Sequence, residues 1–171
     1  MSQYFMRSQR LGFGNWTDGD TESAMLLWGD REVTKLTGGP FSREDVMRRM
    51  AHEISNLKLN HVQYWPIFEI ESAAFVGCCG LQPREMDKGI FELGFQLRRS
   101  AWGQRYAHEA ASLVIELAKS RGMASLYAGH HPENLASQRT LLGLGFEYTH
   151  HEFYEPTGQT EPCYNLNLNA E

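Results

Sequence analysis

Residues 98–109 read Arg-Arg-Ser-Ala-Trp-Gly-Gln-Arg-Tyr-Ala-His-Glu, a turn that follows a strand-like run and heads an amphipathic helix. A turn feeding a helix start leaves several backbone N–H groups without intrahelical partners. With the helix dipole behind them, those groups form a site for a phosphate or pyrophosphate. Such a site implies a nucleotide-like cofactor. The plainer reading is a helix start whose amides are simply solvated, and a lone Gly-containing turn leaves both open.

The flanks of this stretch carry the periodicity. Before it, GIFELGFQLR (89–98) alternates, with Phe91, Leu93, Phe95 and Leu97 on one face and Glu92, Gly94, Gln96 and Arg98 on the other. After the turn at Ser100–Gly103, a helix runs to about Arg121 with Ala107, Ala110, Ala111, Val114, Leu117 and Ala118 as its buried stripe. Gly122 suits the residue just past its end. ASLYAGHH (124–131) reads as a short strand broken by Pro132, and Asn134 as the N-cap of a helix ending near Gly143. GFEYTHHEFY and PCYNLNL are two last strands around a turn at Pro156-Thr157-Gly158.

Upstream, RLGFGNW (10–16) looks like a first strand, and Thr17 or Asp18 caps a helix to about Trp28. Gly38-Gly39-Pro40 is a break. Ser42 opens a long helix with Glu44 and Asp45 in its first turn, where Val46, Met50 and Ile54 recur at helical spacing and Met47 and Leu57 flank them. HVQYWPIFEI and AFVGCCGLQ, separated by Glu71-Ser72-Ala73, suggest a hairpin. The order β-α-α-β-β-β-α-β-α-β-β is mixed α/β, with a largely antiparallel start and one crossover helix. No linker divides it, so one domain is expected over residues 1–171.

The chain has 171 residues, 42% hydrophobic and 22% charged, normal for a folded globule. Its net charge of −5 disfavours a general affinity for nucleic acid. Cys78, Cys79 and Cys163 form no CxxC, and strand neighbours point to opposite faces. Neither a disulfide framework nor a zinc site is expected, and a reducing cytoplasm fits. Ala110–Ala118, interrupted by Ser112 and Glu116, is too short and polar to span a bilayer. MSQYFMRSQR has no apolar signal-peptide core.

With these elements in order, the chain resembles the GNAT N-acetyltransferase superfamily, and within it the branch of ribosomal-protein alanine N-acetyltransferases. Three segments carry the likeness: RLGFGNWTDGD, FELGFQLRRSAWGQRYAHEA and HPENLASQRTLLGLGFEY. They resemble that branch's opening strand and helix start, its acetyl-CoA strand with pyrophosphate loop and helix, and its Asn-x-x-Ser helix followed by Gly-Phe. The implied fold is the GNAT fold, a mixed, mostly antiparallel sheet flanked by helices. One departure stands out: where the family loop usually reads Trp-Gly-x-Gly-Tyr-Ala, the second glycine is Arg105. An arginine there either crowds a pyrophosphate or folds away and pairs with a phosphate. A second departure is His108, where the family often has Thr.

The resemblance implies an acetyl-CoA-dependent enzyme acting on a primary amine of a small molecule or a protein N-terminus, without metal. It implies cofactor contacts from Leu97, Arg98, Trp102, Gly103, Gln104, Arg105, Tyr106, Ala107, Asn134 and Ser137. Ser137 is also the candidate proton donor to the leaving thiolate; otherwise it is an ordinary helix serine. Asn134 serves equally as a plain N-cap. Glu92 stands among apolar residues; on a cleft face it would be the base, its pKa raised by partial burial. His130 is a second base candidate, and Tyr148 and Tyr154 are alternative acids, more naturally packing residues. His130-His131 and His150-His151 read as loop-edge histidines, since strand neighbours chelate poorly. Trp28, Trp65 and Trp102 read as core or cofactor-side packing, and the cysteines at 78 and 79 as small buried hydrophobes. The rival readings are a non-catalytic acyl-CoA-binding module, a GNAT-like interaction domain that has lost its cofactor, and a small-molecule acetyltransferase. The exposed final hairpin is compatible with a homodimer.

Overall fold

Trp16 is where the first strand gives way. Its backbone N–H donates to Gln63 Oε1 at 3.0 Å and its indole N–H to the Tyr64 carbonyl at 2.6 Å, so the chain leaves the sheet after Phe13 rather than continuing to residue 16 as the pattern suggests. A computed structural model describes residues 3–169; the first two and last two positions of the expected 1–171 domain lie outside the described residues. The strands and helices in order are β1 (Met6–Arg7), β2 (Leu11–Phe13), α1 (Thr21–Trp28), α2 (Arg31–Thr34), α3 (Arg43–Asn60), β3 (Tyr64–Glu69), β4 (Phe75–Glu85), β5 (Ile90–Leu97), α4 (Tyr106–Ser120), β6 (Ser125–Gly129), α5 (Leu135–Gly143), β7 (Glu147–Tyr154) and β8 (Gln159–Asn167). They build one eight-stranded sheet in the order β1-β2-β3-β4-β5-β6-β8-β7. Every neighbouring pair is antiparallel except β5–β6, which α4 connects as the crossover.

Two elements were absent from the sequence pattern: β1, of two residues, and α2, of four. Neither is long enough to show a period. The cap readings hold: Thr17 and Asp20 form a capping box ahead of α1, Ser42 and Asp45 another at α3, and Asn134 Oδ1 accepts from the Ser137 N–H at 3.1 Å.

Side chains from the two faces of the sheet form two cores. On one, α4 packs through Ala110, Ala111 and Val114 against Leu11, Trp65, Cys79 and Leu93. On the other, Leu27 and Trp28 of α1 and Val46 and Met50 of α3 pack with Phe75 and Cys78. The adjacent cysteines thus enter opposite cores, as strand alternation requires. In the α4 stripe, Ala107 and Leu117 are only half-buried while Tyr106 and Ile115 are buried.

The long helix α3 departs most from its apolar reading. Met47 is exposed, whereas Glu53 and Asn56 are buried. Glu53 is fully enclosed and accepts three hydrogen bonds: from the Tyr64 N–H at 2.8 Å, Gln82 Nε2 at 2.9 Å and Arg49 Nε at 2.9 Å. One carboxylate therefore joins α3 to both strands of the β3–β4 hairpin. Removing this enclosed acid strips all three donors of their acceptor, at a cost of about 3–5 kcal/mol. Glu53→Ala is accordingly expected to lower unfolding stability by about that amount in urea titration, with Glu53→Gln losing less. A loss within error for Glu53→Ala would contradict the assignment.

Candidate active site

The parallel pairing of β5 with β6 is short. It runs through Ile90–Ser125 and Phe91–Leu126 and ends at Glu92–Tyr127. β5 continues to Leu97, while Ala128 and Gly129 of β6 pair with Tyr164 and Cys163 of β8. The two strands splay, and two cavities open along the gap. One, of about 490 Å³, lies against the loop and the start of α4; the other, of about 780 Å³, lies against Glu92, Gly94 and the last two strands. Phe95, Gln96, Asn134 and Ser137 line both.

Of the proposed cofactor-contact residues, Leu97, Trp102, Gly103, Arg105, Tyr106, Ala107, Asn134 and Ser137 line the loop-side cavity. Arg98 and Gln104 do not. The Arg98 guanidinium donates to the Phe75 carbonyl at 3.3 Å, and Gln104 Nε2 to the Ser100 carbonyl at 3.3 Å. Trp102 is half-exposed and its indole N–H donates to the Leu97 carbonyl at 2.9 Å, pegging the loop to the end of β5.

Arg105 resolves the departure from the glycine pattern. Its φ is 61° and ψ 22°, the left-handed conformation that a glycine adopts freely, and Gly103 has φ 76°. The arginine has kept the backbone of a glycine while exposing its side chain. Unlike α2, α3 and α5, helix α4 has no side-chain cap at its N-terminus, so its first amides remain available to an anion.

The loop is braced from behind by residues with no motif of their own. Arg10 Nη2 donates to the Gln104 carbonyl at 2.9 Å, Arg10 Nε to Glu109 Oε2 at 2.7 Å, and the guanidinium lies 4.3 Å from the Tyr106 ring centre. Glu109, in the first turn of α4, also accepts from Ser8 Oγ and the Arg10 N–H. Burial pushes its carboxyl up, but the donors from Ser8 and Arg10 outweigh this and hold it below its ordinary value. Tyr106 points its hydroxyl at Glu69. In the sequence Arg10-Leu11 reads as the start of a strand and of the resembling opening segment, with nothing to tie it to the loop.

The far end of the gap carries the candidate acid–base groups. Glu92 lines the larger cavity, and burial raises its pKa against a lowering pull from Arg84, whose Nη1 lies 3.9 Å away. No hydrogen bond to its carboxylate occurs among the described residues. Beside it, the Tyr64 ring crosses Gly94; a Cβ there would lie 2.4 Å from Tyr64 Cζ, so glycine is the residue that admits the ring. Trp28 is buried and its indole N–H donates to Gln96 Oε1 at 2.7 Å. Arg84 stacks 3.3 Å from the Tyr127 ring centre and its Nη2 reaches both Glu152 oxygens at 2.9 and 3.0 Å. His150, Arg84 and Tyr127 together hold the Glu152 carboxyl down at about 2.

His130 is buried at the cavity wall, with both ring nitrogens engaged. Nδ1 lies 2.8 Å from the His131 carbonyl, which can only accept, so Nδ1 carries the proton and Nε2 accepts from the Tyr164 hydroxyl at 3.1 Å. Burial lowers its pKa. Tyr154 lines the larger cavity; Tyr148 is exposed and contacts His151 instead. His150 and His151 lie within β7, not at a loop edge. A grouping of His150, Glu152 and Cys163 brings ligand-type atoms within 4.8 Å. Reading only neighbouring histidines missed it, since it joins positions i and i+2 of β7 to a cross-strand partner. Cys78 and Cys79 are buried free thiols, the former pushed up to about 12 by burial, and Trp65 is a core residue.

The family model for the acetyltransferase (GNAT) domain matches residues 10–147. An uncharacterized N-acetyltransferase of Bacillus licheniformis, p20, is 30% identical over 131 residues, 75% of this chain and 74% of its own length. A GNAT-family acetyltransferase structure from Bacillus anthracis superposes with a TM-score of 0.83 at 19% identity, covering 96% of this chain and 99% of that one. The structure of RimL, a ribosomal L7/L12 alpha-N-protein acetyltransferase, in complex with coenzyme A gives 0.83 at 14% identity over 96% and 97%. The chain belongs to the GNAT family and is an N-acetyltransferase with the GNAT fold. Among the described residues no helix is long and apolar enough to cross a membrane.

A left-handed non-glycine residue costs about 1–2 kcal/mol, and glycine's greater backbone entropy returns about 0.5–1 of it. Arg105→Gly is therefore expected to raise stability by about 0.5–1 kcal/mol. In a chain of this size that is about 1–4 °C in a thermal melt. A lower melting temperature would show that the Arg105 side chain contributes more than its backbone conformation costs.

Proposed function

We propose that the chain transfers an acetyl group from acetyl-CoA directly to a primary amine, on a small molecule or a protein N-terminus, within one cytoplasmic domain. The observation that carries this reading is the splay of β5 from β6, bounded by an uncapped helix start at one end and by Glu92 at the other. Coenzyme A in the RimL structure supports acetyl-CoA as the co-substrate. Backbone amides around Gly103–Ala107 would hold the pyrophosphate, and the gap between β5 and β6 is open for the pantetheine arm as an added strand-like segment. Asn134 and Ser137 stand beside that gap.

In the reaction a nitrogen–carbon bond forms and the thioester carbon–sulfur bond breaks. The amine loses one proton and the departing thiolate takes one up. Glu92 receives the amine's proton, directly or through water, and the Ser137 hydroxyl supplies one to the sulfur. A backbone N–H near the end of β5 stabilises the charge developing on the thioester oxygen. Much of the rate comes from holding amine and thioester together.

Acetyl-CoA at about 100 times its Kd should stabilise the protein by about 2.7 kcal/mol. That is a shift of several degrees, with adenosine diphosphate as the control. No shift at millimolar acetyl-CoA overturns the reading.

Glu92 is active as a base when deprotonated, and burial raises its pKa. kcat/KM should therefore rise with pH through that raised value. Glu92→Gln should lose this limb and about 10²–10⁴-fold of rate. An unchanged profile would remove Glu92 from the mechanism. Ser137→Ala should lower kcat with little change in the KM for acetyl-CoA, and equal turnover at all pH values would exclude it as the acid.

A further inference from the structure

The larger cavity contains an arginine with both terminal nitrogens left over. Arg49 on α3 lies with its guanidinium 4.9 Å from the Trp28 ring centre and 5.4 Å from that of Tyr64. Its Nε is spent on Glu53, and Glu53 is fully used by Arg49, Gln82 and the Tyr64 N–H. Among the described residues Nη1 and Nη2 of Arg49 make no hydrogen bond, and the residue lines the cavity. Stacked between aromatic faces and fixed at Nε, this fork is oriented before any ligand arrives. Arg84, the other arginine of the cavity, differs: its Nη2 is held by both Glu152 oxygens and its Nη1 lies 3.9 Å from Glu92.

The same cavity holds two carboxylates, Glu92 and Glu161, that accept no hydrogen bond among the described residues. Burial raises the pKa of each; at Glu92 the guanidinium groups of Arg84 and Arg49 pull the other way, and at Glu161 the neighbouring Glu92 adds to the rise. A cavity with a cationic fork left over on one element and carboxylates left over on two others complements a ligand bearing both signs. A plain alkylamine would desolvate Nη1 and Nη2 of Arg49 and give them no acceptor, which is unfavourable for charged donors taken out of water. A peptide N-terminus offers a single neutral carbonyl to the fork, whereas a carboxylate accepts from both nitrogens at once.

We propose that the acceptor is a primary amine that also carries a carboxylate, an amino acid or an amino-acid-like small molecule. Arg49 takes the carboxylate, and Glu92 and Glu161 face the amine. The inference rests on the transferase reading above and names the substrate class of that site; the transfer step is unchanged.

The test uses the full-length wild-type protein with acetyl-CoA and matched acceptors. These are α-amino acids and longer ω-amino acids, their carboxamides, plain alkylamines and short peptides. Release of coenzyme A and the mass of the product are followed. The acids should exceed their own amides about tenfold or more in kcat/KM, the size of one charge-assisted hydrogen bond. Arg49→Lys, which keeps the charge and loses the fork, should shrink this preference mainly through the KM of the acid. Its acetyl-CoA thermal shift reports whether the variant is folded, and the wild-type comparison stands without it. Amides, alkylamines or peptides acetylated as well as the acids would overturn the acceptor class and leave the transferase reading intact. Acetyl-CoA binding with no amine acetylated would overturn both.

Discussion

The carboxylate of Glu53 is the constraint on which the rest of this molecule hangs. It is enclosed between a helix and a hairpin and accepts from a backbone amide, a glutamine and an arginine. Gln63 adds to the seam, donating to the Glu53 carbonyl at 3.0 Å and accepting from Trp16. Because the three partners of Glu53 come from α3, β3 and β4, the helix can take only one rotation against the sheet. That rotation carries Arg49, one turn earlier, into the cleft beside Trp28 and Tyr64. A buried ion pair is weak evidence of net stability, because desolvation offsets its attraction. Its effect here is one of position: the hydrogen bonds that satisfy the acid decide what the arginine beside it can reach.

A second brace does for the loop-side cavity what Glu53 does for the larger one. Glu109 sits on the first turn of α4, gathers Ser8 and Arg10, and through Arg10 holds the carbonyl of Gln104. Turning one carbonyl of a tight loop away from the gap helps leave the following amides facing it. The loop thus owes its shape to β1–β2 at the edge of the sheet as well as to its own glycine. This accounts for the tolerance of Arg105. The left-handed backbone is imposed by anchors on either side, at Leu97–Trp102 and at Gln104–Arg10, so the loop does not need a glycine at 105 to reach it.

The fold was legible wherever a period extended over several residues. The alternation of Phe91 to Leu97, the stripe of α4 and the caps at Ser42 and Asn134 all appear in the structure because each is set locally. What was not legible depends on partners far along the chain. Glu53 reads as a solvated helix acid until Gln82 and Tyr64 are brought to it, and Arg10 reads as a strand end until α4 presents Glu109. Arg98 shows the converse: alternation places it on the face of Glu92 and Gln96, but the strand ends at Leu97 and its side chain turns to Phe75. The grouping of His150, Glu152 and Cys163 likewise needs the cross-strand register that pairs residues 150 and 163. Motifs mark the proposed cofactor end; nothing of comparable locality marks the proposed acceptor end.

That end illustrates how environment, rather than residue type, assigns roles. Glu92 and Glu152 are both within reach of Arg84. Glu152 accepts from His150, Arg84 and Tyr127, and these donors favour its ionised form so strongly that its carboxyl is held at about 2. A carboxylate that acidic is a poor proton acceptor and serves instead to fix Arg84 and Tyr127. Glu92 has burial without hydrogen-bond donors among the described residues, and its pKa is raised toward the range where a base is effective. His130, the other group of suitable chemistry, has its one acceptor nitrogen filled by Tyr164 and is further depressed by burial. To take a proton it would first have to give up that hydrogen bond. Of the three groups, only Glu92 combines an uncommitted acceptor with a pKa moved in the useful direction, and it stands at the point where β5 and β6 part.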